Sequence, residues 1–138
     1  MDITRIPFNH FIGLESAEGT LCLRSAEHLQ NHIGTVHASA QFALAEAASG
    51  LWLQERFSGV AGEVVPILRR CEMKYRAAAT GTLTAHASSS DDEAEAFVAT
   101  FRAKGRALID VSVEVRDESQ KVTAAGRMEW FVQRVEQT

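Results

Sequence analysis

Between Val36 and Leu53 the sequence is apolar on almost every side of any helix it could form, and this run constrains the fold more than any other feature of the chain. Ala40, Phe42, Leu44, Ala47, Ala48, Leu51 and Trp52 favour helix, and the run is long enough for several turns. A helix with no solvated face must be wrapped by other elements. Its alanines and Gly50 let neighbouring backbone approach closely. With 138 residues, 46% of them hydrophobic, the chain has material for one domain spanning 1–138, so the wrapping must come from its own remainder.

That remainder reads as strands. Arg70, Glu72, Lys74 and Arg76 alternate with Cys71, Met73, Tyr75 and Ala77, the period of a strand with one face in water and one in a core. The turn residues Ala79-Thr80-Gly81 predict a hairpin into a second strand, where Leu83, Ala85 and Ala87 alternate with Thr82, Thr84, His86 and Ser88. The strongest alternation runs through Ala107, Ile109, Val111, Val113 and Val115. A final run puts Val122, Ala124, Met128, Trp130 and Val132 on one face, after a connection at Asp117-Glu118-Ser119-Gln120. Ser90 and Glu93 have capping-box spacing, and the segment they open presents Ala94, Phe97, Val98 and Phe101 on one side before Arg102, Lys104 and Gly105 close it. Near the start, Phe8 to Leu14 forms a short leading element. Thr20 to Arg24 alternates like a strand after a Glu18-Gly19 turn, which predicts a hairpin. The sum is an α+β fold: an antiparallel sheet curled around one long central helix, with a short extra helix between strands.

Charge and cysteine usage narrow the function. Fourteen basic against 18 acidic residues give a net charge of -4, which leaves no electrostatic footprint for nucleic acid or an anionic membrane. Cys22 and Cys71 lie far apart outside any C-x-x-C pattern, excluding a disulfide framework, a cysteine zinc module and a thioredoxin motif, and fitting a reducing compartment. His28, His32 and His37 have no Cys or acid at ligand spacing, so no metal is expected. No apolar leader opens the chain, and Gln41, Glu46 and Gln54 interrupt the longest apolar stretches, so a cytoplasmic protein without a membrane span is expected.

Glu46 is the only charged residue between Val36 and Gln54. A lone carboxylate in so apolar a helix costs several kcal/mol unless it is paired, hydrated or protonated. Two readings account for it. Either Glu46 faces a solvent channel or hydrogen-bonds a neighbouring strand, or it is a general base or nucleophile with a tuned pKa.

Asn31, Gly34 and His37 precede the helix, and Glu46 lies nine residues beyond His37. This stretch resembles the hotdog-fold acyl-CoA thioesterases of the phenylacetate-pathway and hydroxybenzoyl-CoA type, which carry Asn-x-x-Gly-x-x-His-Gly-Gly and then an apolar helix bearing Asp or Glu at that spacing. The family's paired glycines are Ala38 and Ser39 here, and Glu46 stands for the commoner Asp. The resemblance implies hydrolysis of an acyl-CoA or acyl carrier protein thioester without a cofactor. Glu46 would be base or nucleophile, the amide of Ala38 or Ser39 the oxyanion donor, and Asn31 would orient carbonyl or water. Gly34 and His37 are implied on the substrate-binding side, and Arg69, Arg70 and Lys74 either meet coenzyme A phosphates or form a solvated strand face. Eight residues of helix separate Ala38 from Glu46, roughly 12 Å, too far to grip one carbon atom. The site is therefore expected to combine two chains, in a homodimer or a dimer of dimers. The alternative is a hotdog domain that binds acyl thioesters, or serves structure, without catalysis.

Overall fold

The computed structural model describes residues 1–59 and 63–136. A 3-10 turn at Ile3–Arg5 leads into a short helix, α1 (Pro7–Phe11), with Pro7 at its first position, where a missing N–H costs nothing. Strands β1 (Leu14–Ala17) and β2 (Thr20–Leu23) form the expected hairpin, turning through Glu18 and Gly19. After a second 3-10 turn at Glu27–Leu29 comes the long helix α2 (Ala38–Arg56), which starts two residues later and ends three later than the hydrophobic run implied. Strands β3 (Val64–Tyr75) and β4 (Leu83–Ser88), helix α3 (Asp91–Lys104), and strands β5 (Arg106–Arg116) and β6 (Val122–Arg134) complete the chain.

All six strands join one antiparallel sheet in the order β1-β2-β4-β5-β6-β3. Its concave face is the alternating apolar set of β5 and β6. Val111, Val115 and Met128 are fully buried there, and Leu44 and Ala45 of α2 are equally buried against the sheet. The helix lies chiefly over β4 and β5. This is the hotdog arrangement, a sheet wrapped around a central helix. Ser90 caps α3, its Oγ accepting from the Glu93 amide at 3.1 Å, and Gly105 ends that helix. The second half of the capping box is absent, because the Glu93 carboxylate accepts from Ser89 Oγ and Arg127 instead.

Two local expectations are corrected. No hairpin joins β3 to β4: in place of the expected turn at Ala79-Thr80-Gly81 the chain only bends at Gly81, β3 lies at the far edge beside β6, and β4 sits between β2 and β5. The linking segment is held elsewhere, with the Arg76 amide donating to Thr123 and the Val36 amide to Ala79. Nor is β3 half-buried. It starts at Val64, and both of its faces are largely exposed, Cys71 included, because α2 lies over the other side of the sheet and barely touches β3. Pro66 within it is tolerated because an edge strand has one unpaired side.

Candidate active site

Helix α2 brings Glu46 to the wall of a cavity of about 720 Å³. One face of α2 (Glu46, Gly50, Leu53), the N-terminal segment (Ile3, Phe8), Phe97 of α3 and Trp130 of β6 line it. Among the described lining residues Glu46 is the only ionisable side chain, and its carboxylate has no hydrogen-bond or ion-pair partner among the described residues. Burial pushes the Glu46 carboxyl above the ordinary glutamate range, with no compensating charge to pull it back. Of the bland explanations for Glu46, the hydrogen bond to a neighbouring strand is therefore absent from the described residues.

The turn that carries Glu46 is fastened to the sheet. Trp130 Nε1 donates to Ser49 Oγ at 2.9 Å, and Ser49 Oγ donates to the Glu46 carbonyl oxygen at 2.7 Å. Ser49 has no solvent exposure and Trp130 is 7% exposed, so this relay runs through the core, where an unmade hydrogen bond is costly. Sequence reasoning missed both residues as parts of the site. The available signal was a serine three positions after Glu46 in an otherwise apolar helix, together with a strand tryptophan whose N–H must find an acceptor when buried. A second polar tie, from Thr123 Oγ1 to Gln41 Oε1 at 2.9 Å, joins α2 to β6 five residues before Glu46.

The other expected site residues gather at the N-terminus of α2, outside the cavity lining. Asn31 Oδ1 accepts from the amides of Ile33 and Thr35, and its Nδ2 donates to Thr35 Oγ1 at 2.7 Å. The turn closes through Gly34, whose φ of +78° lies in the left-handed region where a side chain is strained. His37 is the N-cap, its Nδ1 accepting from the Ser39 amide at 2.9 Å. That bond requires an unprotonated Nδ1 and occupies the Ser39 N–H. The Ala38 N–H has no partner among the described residues, and Ala38 is exposed. Within one chain, then, Asn31, Gly34, His37, Ala38 and Ser39 form one cluster and Glu46 stands apart from it. Among the described residues no group of His, Cys, Asp and Glu converges as a metal site would require, and no helix is long and apolar enough to cross a membrane.

A family model described as Domain of unknown function (DUF4442) matches residues 9–132. No curated protein matches the sequence. Among solved structures, a Pseudomonas aeruginosa protein of unknown function, described as a probable thioesterase, is similar with a TM-score of 0.81 and 23% identity, over 95% of this chain and 90% of that one. A Haemophilus influenzae thioesterase is similar with a TM-score of 0.75 and 16% identity, over 98% and 88% of the two chains. A Bacillus halodurans protein crystallised with CoA has a TM-score of 0.66 and 19% identity, over 88% and 74%. At these identities the likeness is one of fold, the hotdog fold of thioesterase-superfamily proteins.

Proposed function

The chain belongs to the family described as Domain of unknown function (DUF4442), and from the hotdog fold and the Glu46 carboxylate, unpaired among the described residues in an apolar cavity, we propose that it hydrolyses an acyl-CoA thioester. Glu46 is the observation that carries the reading. A carboxylate with a raised pKa, free of partners among the described residues and facing a cavity, is suited to accept a proton from water. In the proposed reaction Glu46 takes that proton as the water oxygen attacks the thioester carbon, the C–S bond breaks, and the proton passes to the departing thiolate. Direct attack by Glu46 on the same carbon is the covalent variant.

The developing oxyanion needs an N–H donor, and the Ala38 amide is the better candidate than Ser39, whose N–H already caps onto His37. Asn31 has its side chain engaged in shaping the loop, so its contribution in this reading is to hold the Ala38 amide in place, with Gly34 and His37 beside it. Because Ala38 and Glu46 lie roughly 12 Å apart along α2, the reading requires the loop cluster of a second copy to meet Glu46 of the first. The exposed edge of β3 supports such a homodimer: one side of the strand is unpaired, and Val65, Ile67 and Tyr75 are 46%, 52% and 46% exposed. The CoA held by the Bacillus halodurans structure supports coenzyme A as the thiol, although an acyl carrier protein carries the same pantetheine chemistry. Whether the chain shares its branch with the phenylacetate and hydroxybenzoyl-CoA enzymes belongs to this proposal too, resting on Asn31, Gly34, His37 and Glu46. The competing reading, thioester binding without turnover, draws on Ala38 and Ser39 in place of paired glycines. Free-thiol release across an acyl-CoA panel decides: release that Glu46→Gln abolishes supports hydrolysis, and tight CoA binding with no release supports the rival.

A further inference from the structure

The cavity beside Glu46 also carries information on the acyl group. Its lining follows α2 from Glu46 through Gly50 and Leu53 to Phe57 just past the helix end, eleven steps along the chain, which at the helical rise is roughly 16 Å. A zigzag carbon chain built from bonds of about 1.5 Å advances roughly 1.25 Å per carbon, so that length admits about twelve carbons in extended form. The volume of about 720 Å³ does not shorten this limit, since at on the order of 30 Å³ per methylene, about the share of a water molecule, such a chain occupies roughly half of it. A single aromatic ring would leave most of the length empty.

The amide and indole N–H donors of the lining are already engaged. Asn9 Nδ2 donates to the Ile3 carbonyl at 3.0 Å, Gln54 Nε2 to the Met1 carbonyl at 2.7 Å, and Trp130 Nε1 to Ser49. Leu53, Phe57, Phe97 and Val132 leave the rest of this wall mainly apolar, a lining that suits a hydrocarbon group.

We infer that the acyl group bound here is an aliphatic chain of up to about twelve carbons, seated along the wall from Glu46 to Phe57, rather than an aryl group. This rests on the thioesterase reading for its placement of the thioester at Glu46, but the apolar ligand itself does not. Gly50 supplies the handle. A Cβ added there would stand 3.5 Å from the Trp130 ring, an ordinary contact, so alanine fits, whereas leucine would project into the cavity.

The test measures kcat/KM for butanoyl-, octanoyl- and dodecanoyl-CoA against phenylacetyl- and 4-hydroxybenzoyl-CoA. In parallel, binding of 1-decanol, a neutral aliphatic probe that brings no second carboxylate to Glu46, is read from tryptophan fluorescence, since Trp130 lines the cavity. Dodecanoyl-CoA should exceed butanoyl-CoA by about a hundredfold or more, as buried methylenes each add binding energy, and both aryl substrates should fall below octanoyl-CoA. Gly50→Leu should lower the dodecanoyl value about tenfold more than the butanoyl value and weaken 1-decanol binding. A flat chain-length profile, a preference for either aryl substrate, or a Gly50→Leu variant that folds and keeps the wild-type profile would overturn the inference. If no thioester is cleaved, 1-decanol binding that Gly50→Leu abolishes sustains the aliphatic ligand while hydrolysis is rejected. Failure to bind 1-decanol rejects the aliphatic ligand.

Discussion

Replacing Glu46 by Gln keeps the shape of the side chain and removes its charge, and the surroundings of the carboxyl determine the consequences. No other ionisable side chain among the described residues lines the cavity, so no second carboxylate or imidazole there can take over the proton. The whole contribution of a positioned base is then lost, and kcat should fall by about a hundredfold or more, equivalent to about 2.7 kcal/mol of transition-state stabilisation. Stability should move the other way. The folded carboxyl titrates above the unfolded one because of burial, so the folded state takes up the proton more readily. The stability this group contributes is complete below the ordinary glutamate range and is lost as pH rises through the raised folded value. Glutamine does not titrate. The melting temperature of Glu46→Gln should therefore exceed that of wild type at neutral pH, with the gap closing as the pH falls toward the ordinary range. The assay pairs thiol release with thermal melts across that span. In wild type, kcat/KM should rise with pH around a midpoint above that of free glutamate, about 4.3. A variant with unchanged turnover would refute the catalytic role, and a melting difference independent of pH would refute the claim that Glu46 is charged and partly desolvated at neutrality.

Particular contacts set three further outcomes. Trp130→Phe removes the donor to Ser49 and some buried ring area, which should lower stability by about 2 kcal/mol in denaturant titration and reduce kcat severalfold by loosening the turn that carries Glu46. Gly126→Ala places a methyl against the Glu72 carbonyl oxygen of the neighbouring strand, a backbone atom that cannot swing aside; a loss of about 3 kcal/mol, or about 10 °C in melting, is expected by calorimetry. The pair Val65→Lys and Ile67→Lys puts like charges on the open β3 edge, and sedimentation should show dissociation to monomer with a parallel loss of hydrolysis. A monomeric variant that retains full activity would remove the need for a two-chain site.

Much of the architecture is local in origin and therefore visible in the residues. The run from Val36 demands a wrapped helix because no side of it tolerates water, and the alternation in Ala107–Val115 and Val122–Val132 marks both the strands and their inward faces. Ser90 and Gly105 bound α3 because capping depends on residues within one turn. Glu46 stands out because a lone charge in an apolar helix is expensive wherever that helix packs. The failures concern pairing across distance. Gly81 only bends the chain where Ala79-Thr80-Gly81 predicted a hairpin turn, because turn residues do not say which strand their successor joins, and the pairing of β6 with β3 carries β3 to the edge. The alternation of Arg70–Ala77 likewise records two chemically different faces, not whether a helix covers either, and α2 lies over β4 and β5 instead. Spacing names the loop residues, yet only the fold reveals that Asn31 spends its side chain on Thr35 and Ile33, and that His37 takes the Ser39 amide and leaves that of Ala38 without a partner among the described residues. The cavity and the Trp130–Ser49 tie behind Glu46 depend on contacts between residues about eighty positions apart. Periodicity reports how each segment meets an environment, whereas the identity of that environment is set by long-range packing, which only the tertiary structure decides.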